Sequence, residues 1–269
     1  MLEKIRNTAS FIRDKIPWNP EIGVILGTGL GGMTGDIDVH ISIPYQNIPD
    51  FPESTVEGHN GQLIFGELGN KKVVAMQGRF HHYEGYSMQE VTYPVRVMKL
   101  LGIRYLFVSN ASGGVNPAFE IGDLMIMNDH INLLPNPLIG ENIDELGPRI
   151  VDMSEPYDRK LIEKAENIAA NHEIKIRKGC YVATSGPTLE TPKEYEYFRI
   201  IGGDAVGMST VPEVIVARHM DIPCFAVSII TDLGVPGKIK KVTHEEVQKV
   251  AENAEPAMTS LMEQLIKDL

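Results

Sequence analysis

An α/β fold, with helices laid over both faces of a largely parallel sheet, is what this sequence predicts. Three observations predict it. Short runs rich in Val, Ile, Leu and Met recur along the chain, stretches of helical period lie between several of them, and no repeat, low-complexity tract or Pro/Gly/Ser linker divides the 269 residues. A single domain covering residues 1–269 is the simplest organisation, and a chain that is 43% hydrophobic can bury a substantial core.

The elements follow in order. Helical period covers residues 2–15, and IGVILG then reads as a buried strand ending in Gly27-Thr28-Gly29. Residues 33–49 carry no helical period and no second buried strand ending in an acid. The Gly27 to Gly32 glycine run therefore lacks the context of a dinucleotide fingerprint, although its spacing fits one, and neither a nicotinamide nor a flavin is expected. QLIFGEL and KKVVAMQG give two more strands, the second running into Gly78-Arg79. A helix at 88–101 precedes the strands RYLFVSN and DLMIMND. Further helices at 158–172, 191–201, 211–220 and 243–268 alternate with GCYVATSG, GDAVGMS and PCFAVSIIT. Thr191-Pro-Lys-Glu194 and Thr210-Val-Pro-Glu213 both fit a capping box that would start a helix.

Charge and composition exclude several classes. No apolar run approaches the roughly 18 residues that a membrane span needs, and the opening MLEKIRNTASFIRDKI is charged where a signal peptide would be apolar, so a cytoplasmic protein without a membrane partner is expected. The net charge of -11 and the lack of a long basic run argue against a nucleic-acid partner. Cys180 and Cys224 sit in apolar runs with no metal-ligand spacing, which predicts reduced core thiols and no metal.

In sheets of this kind ligands collect at the carboxyl ends of the strands. Those ends carry Gly27-Thr28-Gly29, Gln77-Gly78-Arg79, Ser109 to Gly114, Thr184 to Pro187, Met208-Ser209-Thr210 and Thr231-Asp232. Small residues and hydroxyls let backbone N–H groups approach an anion closely, so a phosphate pocket follows. Ser209, Thr210 and Glu190 also read as helix starts, and helix N-termini attract anions, so capping and ligand binding are compatible there. GRFHHYEG, residues 78–85, sharpens this reading. Arg79 supplies a fork of donors for phosphate oxygens, His81 projects from the same side two residues on, and Glu84 can orient an imidazole. His82 then points away as a packed or solvated histidine, while Tyr83 fits either aromatic packing or a hydroxyl on a sugar. His59, alone in a glycine turn, fits function and structure equally.

GRFHHYEGYS, VSNASGGVNP, DHINL, NPLIG, SGPTLETP and DAVGMSTVPEVIVARH together resemble the trimeric purine nucleoside phosphorylase family, of the inosine- and guanosine-cleaving type, over nearly the whole chain. The resemblance implies a twisted mixed β-sheet flanked by helices, the nucleoside phosphorylase fold, in a homotrimer. It implies no organic cofactor and no metal, with inorganic phosphate as co-substrate. It further implies a phosphate site at Thr28, His59, Arg79, Phe80, His81, the Ala111 backbone and Ser209. The sugar would lie against Tyr83, Met208 and His244. The base would meet Ala111, Gly113, Tyr181, Leu189, Glu190, Val206 and Asp232, and His81, Glu84, Glu190 and Asp232 would serve the chemistry.

The chain departs from the family pattern at four places. Thr28 stands for a serine and keeps the hydroxyl. Asp232 stands for an asparagine, so a donor to N7 or O6 of a 6-oxopurine exists there only if the carboxyl is protonated, which a nearby Glu190 and burial both favour. An ionised Asp232 would instead accept from a 6-amino group. Leu189 stands for an aromatic residue, and residues 131–140 lack the phenylalanine the family offers a neighbouring subunit, leaving Leu133 or Leu134 in that place. Two rival readings come from this set. A methylthioadenosine phosphorylase suits Asp232 but not His244, since a methylthio group wants an apolar pocket. A noncatalytic nucleoside-binding module would have lost the phosphate donors, yet Thr28, Arg79, His81 and Ser209 are present. Residues 233–242, LGVPGKIKKV, fit a lid or a solvated connection equally.

Overall fold

A computed structural model describes residues 1–27, 30–53 and 61–269. Helix α1 (Leu2–Arg13) leads into β1 (Ile22–Leu26), β2 (Asp38–Pro44), β3 (Gln62–Leu68) and β4 (Lys71–Gln77). After α2 (Met88–Val91) and α3 (Tyr93–Leu101) come β5 (Tyr105–Gly114) and β6 (Leu124–Asn132), then α4 (Arg159–Asn171), β7 (Ile176–Ala183) and α5 (Pro192–Ile200). The chain closes with β8 (Ala205–Gly207), α6 (Val211–His219), β9 (Cys224–Leu233) and α7 (His244–Lys267). No described helix is long and apolar enough to cross a membrane.

The strands form one mixed sheet in the order β2-β3-β4-β1-β5-β8-β7-β6-β9, and β9 returns to pair with β5. Five strands therefore close into a ring, and the others extend from it as an open wing through β5. The strands β4, β1, β5 and β9 are parallel neighbours, so the residues after β1 and β4 and the last residues of β5 and β9 emerge on the same side. These four strands are buried along most of their length, as strands covered on both faces must be, and that is why they read as continuous apolar runs. Strand β2 was not expected. Its residues are mostly exposed, its register slips between Val39 and Ile41, and it forms the edge of the sheet, where hydropathy carries little signal.

Helical spacing explains the covering layers. Ile5, Ala9 and Ile12 of α1 lie on one face and are buried, and Thr8 beside them meets the Tyr93 hydroxyl at 2.7 Å. Met258, Leu261, Met262 and Leu265 do the same for α7, each such burial stabilising the fold by about 1.5–3 kcal/mol. Both cysteines are free, Cys224 is buried, and burial pushes the two thiols up to about 12, which leaves them as inert packing residues.

One irregularity positions chemistry. In the β5–β9 pairing Ser112 faces Ile230 while Gly113 faces Asp232, so Thr231 is an extra residue on β9. Such a bulge turns the next side chain out of the regular alternation. Asp232 thereby reaches a cavity at the strand ends.

Candidate active site

The cavity has a volume of about 310 Å³ and is lined from the ends of β1, β4, β5 and β9, the turns after β7 and β8, and the start of α7. Arg79 forms one end of it. Gly78, at φ 105°, lets the chain turn sharply after β4, and Arg79 passes inward until it is 1% exposed. Its Nη1 donates to the Ser109 carbonyl and to Ser209 Oγ, both at 3.0 Å, and reaches Thr210 Oγ1 at 3.4 Å. Nε lies 3.1 Å from Glu213 Oε1, an ion pair made off the N–H axis, and both side chains are buried. Nη2 is buried with no hydrogen-bond partner among the described residues. A guanidinium so placed has donor capacity in reserve, and in a buried site that capacity is costly unless a ligand uses it.

The turn that presents Ser209 is strained. Thr210 adopts φ 69° and ψ -51°, and the Val211 N–H donates to the Ser209 carbonyl at 2.8 Å, which makes a γ-turn of the rare kind. Backbone in such a region costs about 1–3 kcal/mol and persists only where its surroundings hold it. Here Asn110 Nδ2 donates to Thr210 Oγ1 at 2.7 Å, and Ser228 Oγ donates to Asn110 Oδ1 at 2.6 Å. Beneath Ser209, its N–H meets the Tyr181 hydroxyl at 3.4 Å. The result holds a serine hydroxyl beside Arg79 on a frame with little freedom.

His81 follows Arg79 in the same wall. Its Nδ1 lies 3.0 Å from Glu84 Oε1, and that oxygen also accepts from the His81 N–H at 2.8 Å, so the carboxylate fixes both the ring and the turn His82–Glu84 behind it. Tyr83 stacks on the imidazole with centroids 4.7 Å apart. Burial, assisted by the charge of Glu84, raises the Tyr83 phenol to about 12, leaving a neutral hydroxyl at the cavity wall. His82 turns the other way and meets the Tyr86 carbonyl at 2.9 Å.

Two carboxyls also line the cavity. Asp232 is 8% exposed, and its Oδ1 accepts from the Thr231 hydroxyl at 3.0 Å while its Oδ2 accepts from the Tyr195 hydroxyl at 3.5 Å. Glu190 stands just before α5, which starts at Thr191 with the capping box that its sequence predicts: Glu194 N–H to Thr191 Oγ1 at 3.3 Å, and Thr191 N–H to Glu194 Oε2 at 2.7 Å. Burial pushes both Glu190 and Asp232 above the usual carboxylate range, and for Glu190 the neighbouring Asp232 charge adds to the rise. Leu189, Val206 and Met208 line the same cavity. Gly186, at φ 59°, gives Met208 its place, because a Cβ there would collide with the thioether sulfur. His244, exposed at the first turn of α7, lines the rim.

Anion donors and carboxyls raised by burial in one cavity are combined with near full-length similarity to proteins of one kind. The family model for the phosphorylase superfamily matches residues 21–267. Purine nucleoside phosphorylase 1 of Geobacillus stearothermophilus is 49% identical over 98% of this chain and 97% of its own. The chain belongs to the purine nucleoside phosphorylase family. The rat purine nucleoside phosphorylase is 44% identical over 98% of this chain and 95% of its own. The crystal structure of a Schistosoma mansoni purine nucleoside phosphorylase in complex with adenosine superposes with a TM-score of 0.95, at 43% identity, over 99% of this chain and 97% of that one.

Of the residues that the sequence assigns to a purine nucleoside phosphorylase site, the cavity brings together Arg79, His81, Tyr83, Ala111, Gly113, Leu189, Glu190, Val206, Met208, Ser209, Asp232 and His244. Thr28 and His59 lie outside the described residues. Two expectations are corrected. Phe80 does not line the cavity: consecutive residues of an extended turn face opposite ways, and its ring packs on Tyr45, Phe51 and Tyr86 in the core. Tyr181 does not line the cavity: it is fully buried, and its hydroxyl lies behind Gly207 and Ser209, which do. Glu84 acts on the site through His81 rather than from its wall. A third correction concerns Glu213, which makes no capping box with Thr210 and pairs with Arg79 instead. Four residues were missed: Glu213, Asn110, Thr231 and Tyr195. Asn110 and Thr231 sit at the strand ends already singled out, and their place there was the available signal. Among the described residues no cluster of His, Cys, Asp or Glu is placed to hold a metal.

Proposed function

We propose that the chain catalyses the phosphorolysis of purine nucleosides and deoxynucleosides, with inosine and guanosine preferred, to free purine and ribose or deoxyribose 1-phosphate. One domain over residues 1–269 carries the activity, as a cytoplasmic homotrimer serving purine salvage, with phosphate as co-substrate and no cofactor. The observation that carries the reading is the buried Nη2 of Arg79 beside Ser209, unpartnered among the described residues, in one cavity with Glu190 and Asp232.

Arg79, His81, Ser209 and the Ala111 backbone hold phosphate, and Thr28 and His59 complete the set by resemblance. Tyr83, Met208 and His244 hold the sugar, the last at its 5'-hydroxyl. As the glycosidic bond lengthens, positive charge grows on the ribose and negative charge on the purine. Phosphate, oriented on the face opposite the base, stabilises the cation and attacks C1'. Glu190 accepts the N1–H of a 6-oxopurine, and Asp232, whose carboxyl burial pushes up, donates in its protonated form towards N7 or O6 and spreads the leaving group's charge. Leu189, Val206 and Gly113 border the base. A second reading has a specific support: the Thr231 and Tyr195 hydroxyls that point at Asp232 also stabilise its ionised form, which accepts from a 6-amino group and admits adenosine. His244 at the rim favours a 5'-hydroxyl over a 5'-methylthio group.

The deciding assay is phosphate-dependent release of base from inosine, guanosine, adenosine and methylthioadenosine between about pH 5.5 and about pH 8.5. Base release from inosine and guanosine that requires phosphate is the expected result; release from none of the four overturns the reading. Arg79→Ala raises the KM for phosphate far more than the KM for nucleoside, and equal effects on both would remove Arg79 from the phosphate site.

A further inference from the structure

Helix α7 carries one residue that breaks its own pattern. Ala251, Met258, Met262 and Leu265 recur at the three- and four-residue spacing of a single helix face, and all four are fully buried. Glu255 falls on that face, four residues after Ala251 and three before Met258. A carboxylate on an apolar stripe is costly unless donors satisfy it. Its donors are backbone groups: Glu255 Oε1 accepts from the Gly32 N–H at 2.5 Å and from the Met33 N–H at 3.2 Å. Glycine at position 32 permits the approach, because a Cβ there would collide with the carboxylate.

Gly32 and Met33 open a short helical turn, Gly32–Asp36, and stand at the far end of the glycine-rich stretch that leaves β1. The near end of that stretch is fixed beside Arg79. Gly27 lines the cavity, and its N–H meets Ser109 Oγ at 3.4 Å. A Cβ on Gly27 would collide with the Ser109 carbonyl, the same oxygen that accepts from Arg79 Nη1 at 3.0 Å. From there the Leu30 N–H donates back to the Gly27 carbonyl at 3.1 Å, and the Leu30 side chain is fully buried. Glu255 therefore closes the stretch from the other side. The helix that supplies it also lines the cavity, through His244 and Val247 in its first turn.

We propose that Glu255 is a positioning residue for the anion site: by holding the Gly32 and Met33 N–H groups on α7 it fixes the glycine-rich stretch that runs past Arg79. The inference rests on the assignment of this cavity to phosphate. Gly27, Gly29, Gly31 and Gly32 give the stretch more backbone freedom than any other composition would, and a site built on it binds an anion tightly only if that freedom is removed beforehand. Thr28, which the family resemblance assigns to phosphate, lies in the same stretch of sequence. Glu255 touches no cavity wall, so its effect is on the order of the phosphate site and not on the nucleoside.

Glu255→Ala and Glu255→Gln separate this role from plain packing. Calorimetry with inorganic phosphate alone measures affinity without turnover, and steady-state kinetics with inosine give the two KM values. In Glu255→Ala the phosphate Kd and the phosphate KM are expected to rise by about tenfold, the scale of one lost hydrogen bond to a charged group, while the inosine KM stays within about twofold. Glu255→Gln keeps an oxygen of the same shape to accept from both N–H groups, so it restores most of the phosphate affinity. Unchanged phosphate affinity in Glu255→Ala, equal losses for phosphate and inosine, or a glutamine variant as impaired as the alanine variant overturns the proposal. Gly32→Ala reaches the same contact from the other partner, since its methyl displaces the carboxylate, and should show the same loss confined to phosphate even where Glu255→Ala does not fold; parental phosphate affinity in Gly32→Ala also overturns the proposal. If Glu255→Ala weakens phosphate binding and the parent cleaves no nucleoside, the phosphorolysis reading fails and the role of Glu255 stands. Phosphate-dependent cleavage by a parent whose Glu255→Ala variant binds phosphate equally well is the reverse case.

Discussion

Glu213→Gln tests whether the cation at the phosphate end is held by a buried counter-charge. Arg79 Nε and Glu213 Oε1 are 3.1 Å apart, with side-chain exposures of 2% and 3%. Glutamine keeps the shape and removes the charge, leaving a buried guanidinium with no ion pair. Breaking a buried pair in this way costs about 3–5 kcal/mol. For 269 residues the unfolding entropy near the midpoint is about 0.56 kcal/mol/K, so the Tm falls by about 5–9 °C in phosphate-free buffer. Saturating phosphate supplies the missing negative charge at Nη2, where no partner among the described residues competes, so the gap between the two proteins narrows as phosphate is added. Differential scanning calorimetry across a phosphate series measures both quantities. A variant that melts with the parent in phosphate-free buffer, or one whose deficit grows with phosphate, refutes the claim that Glu213 balances Arg79 and that Nη2 faces the anion.

Other consequences follow from single contacts. Asn110→Ala removes the donor to Thr210 Oγ1 and leaves that buried hydroxyl short of a partner, at about 1–3 kcal/mol; the γ-turn loosens, and steady-state kinetics should show the phosphate KM rising more than the nucleoside KM. His244→Ala should penalise inosine more than 5'-deoxyinosine, and equal losses would take His244 off the 5'-hydroxyl. His130 is held down to about 4 by burial, partly opposed by Asp129, against an ordinary value near 6.5. The folded state therefore favours the neutral ring: this contribution is complete above about pH 6.5, is lost as the pH falls towards about 4, and amounts to about 3 kcal/mol. Urea midpoints measured over that range should fall less steeply for His130→Asn than for the parent, and identical slopes would contradict the assignment.

What the sequence reveals about this fold depends on how locally each feature is determined. β1, β4, β5 and β9 were legible because strands covered on both faces must be apolar at nearly every position, whereas β2 satisfies its edge position with exposed side chains and leaves no such trace. Arg79, His81 and Glu84 were legible because a short turn brings them together regardless of the rest. Glu213 was hidden by its own neighbourhood, since TVPE spells a helix start, and only Arg79, 134 positions earlier in the chain, draws that carboxylate inward. Tyr195 was hidden for the same reason, an aromatic side chain on an amphipathic helix whose hydroxyl meets a strand end 37 residues later. Phe80 and Tyr181 show the opposite limit: proximity to site residues in the chain says nothing about which way a side chain faces.

If the cavity is the purine site proposed above, the two kinds of group that line it bear on how an acidic chain can expel a purine anion. Glu213 already neutralises Arg79, so an arriving phosphate meets aimed donors within a site that carries little net positive charge. Two ionised carboxyls in the same cavity would then oppose the charge developing on the purine. At about 5 Å and an effective dielectric of about 20, each would cost about 3 kcal/mol, roughly two decades of rate. Burial raises Glu190 and Asp232 together, and whichever of them is protonated ceases to oppose that charge and gains a donor. A carboxyl at position 232 therefore depends on its burial to favour the neutral form. The bulge at Thr231 supplies that burial by turning Asp232 into the cavity, and the Thr231 and Tyr195 hydroxyls pull the other way.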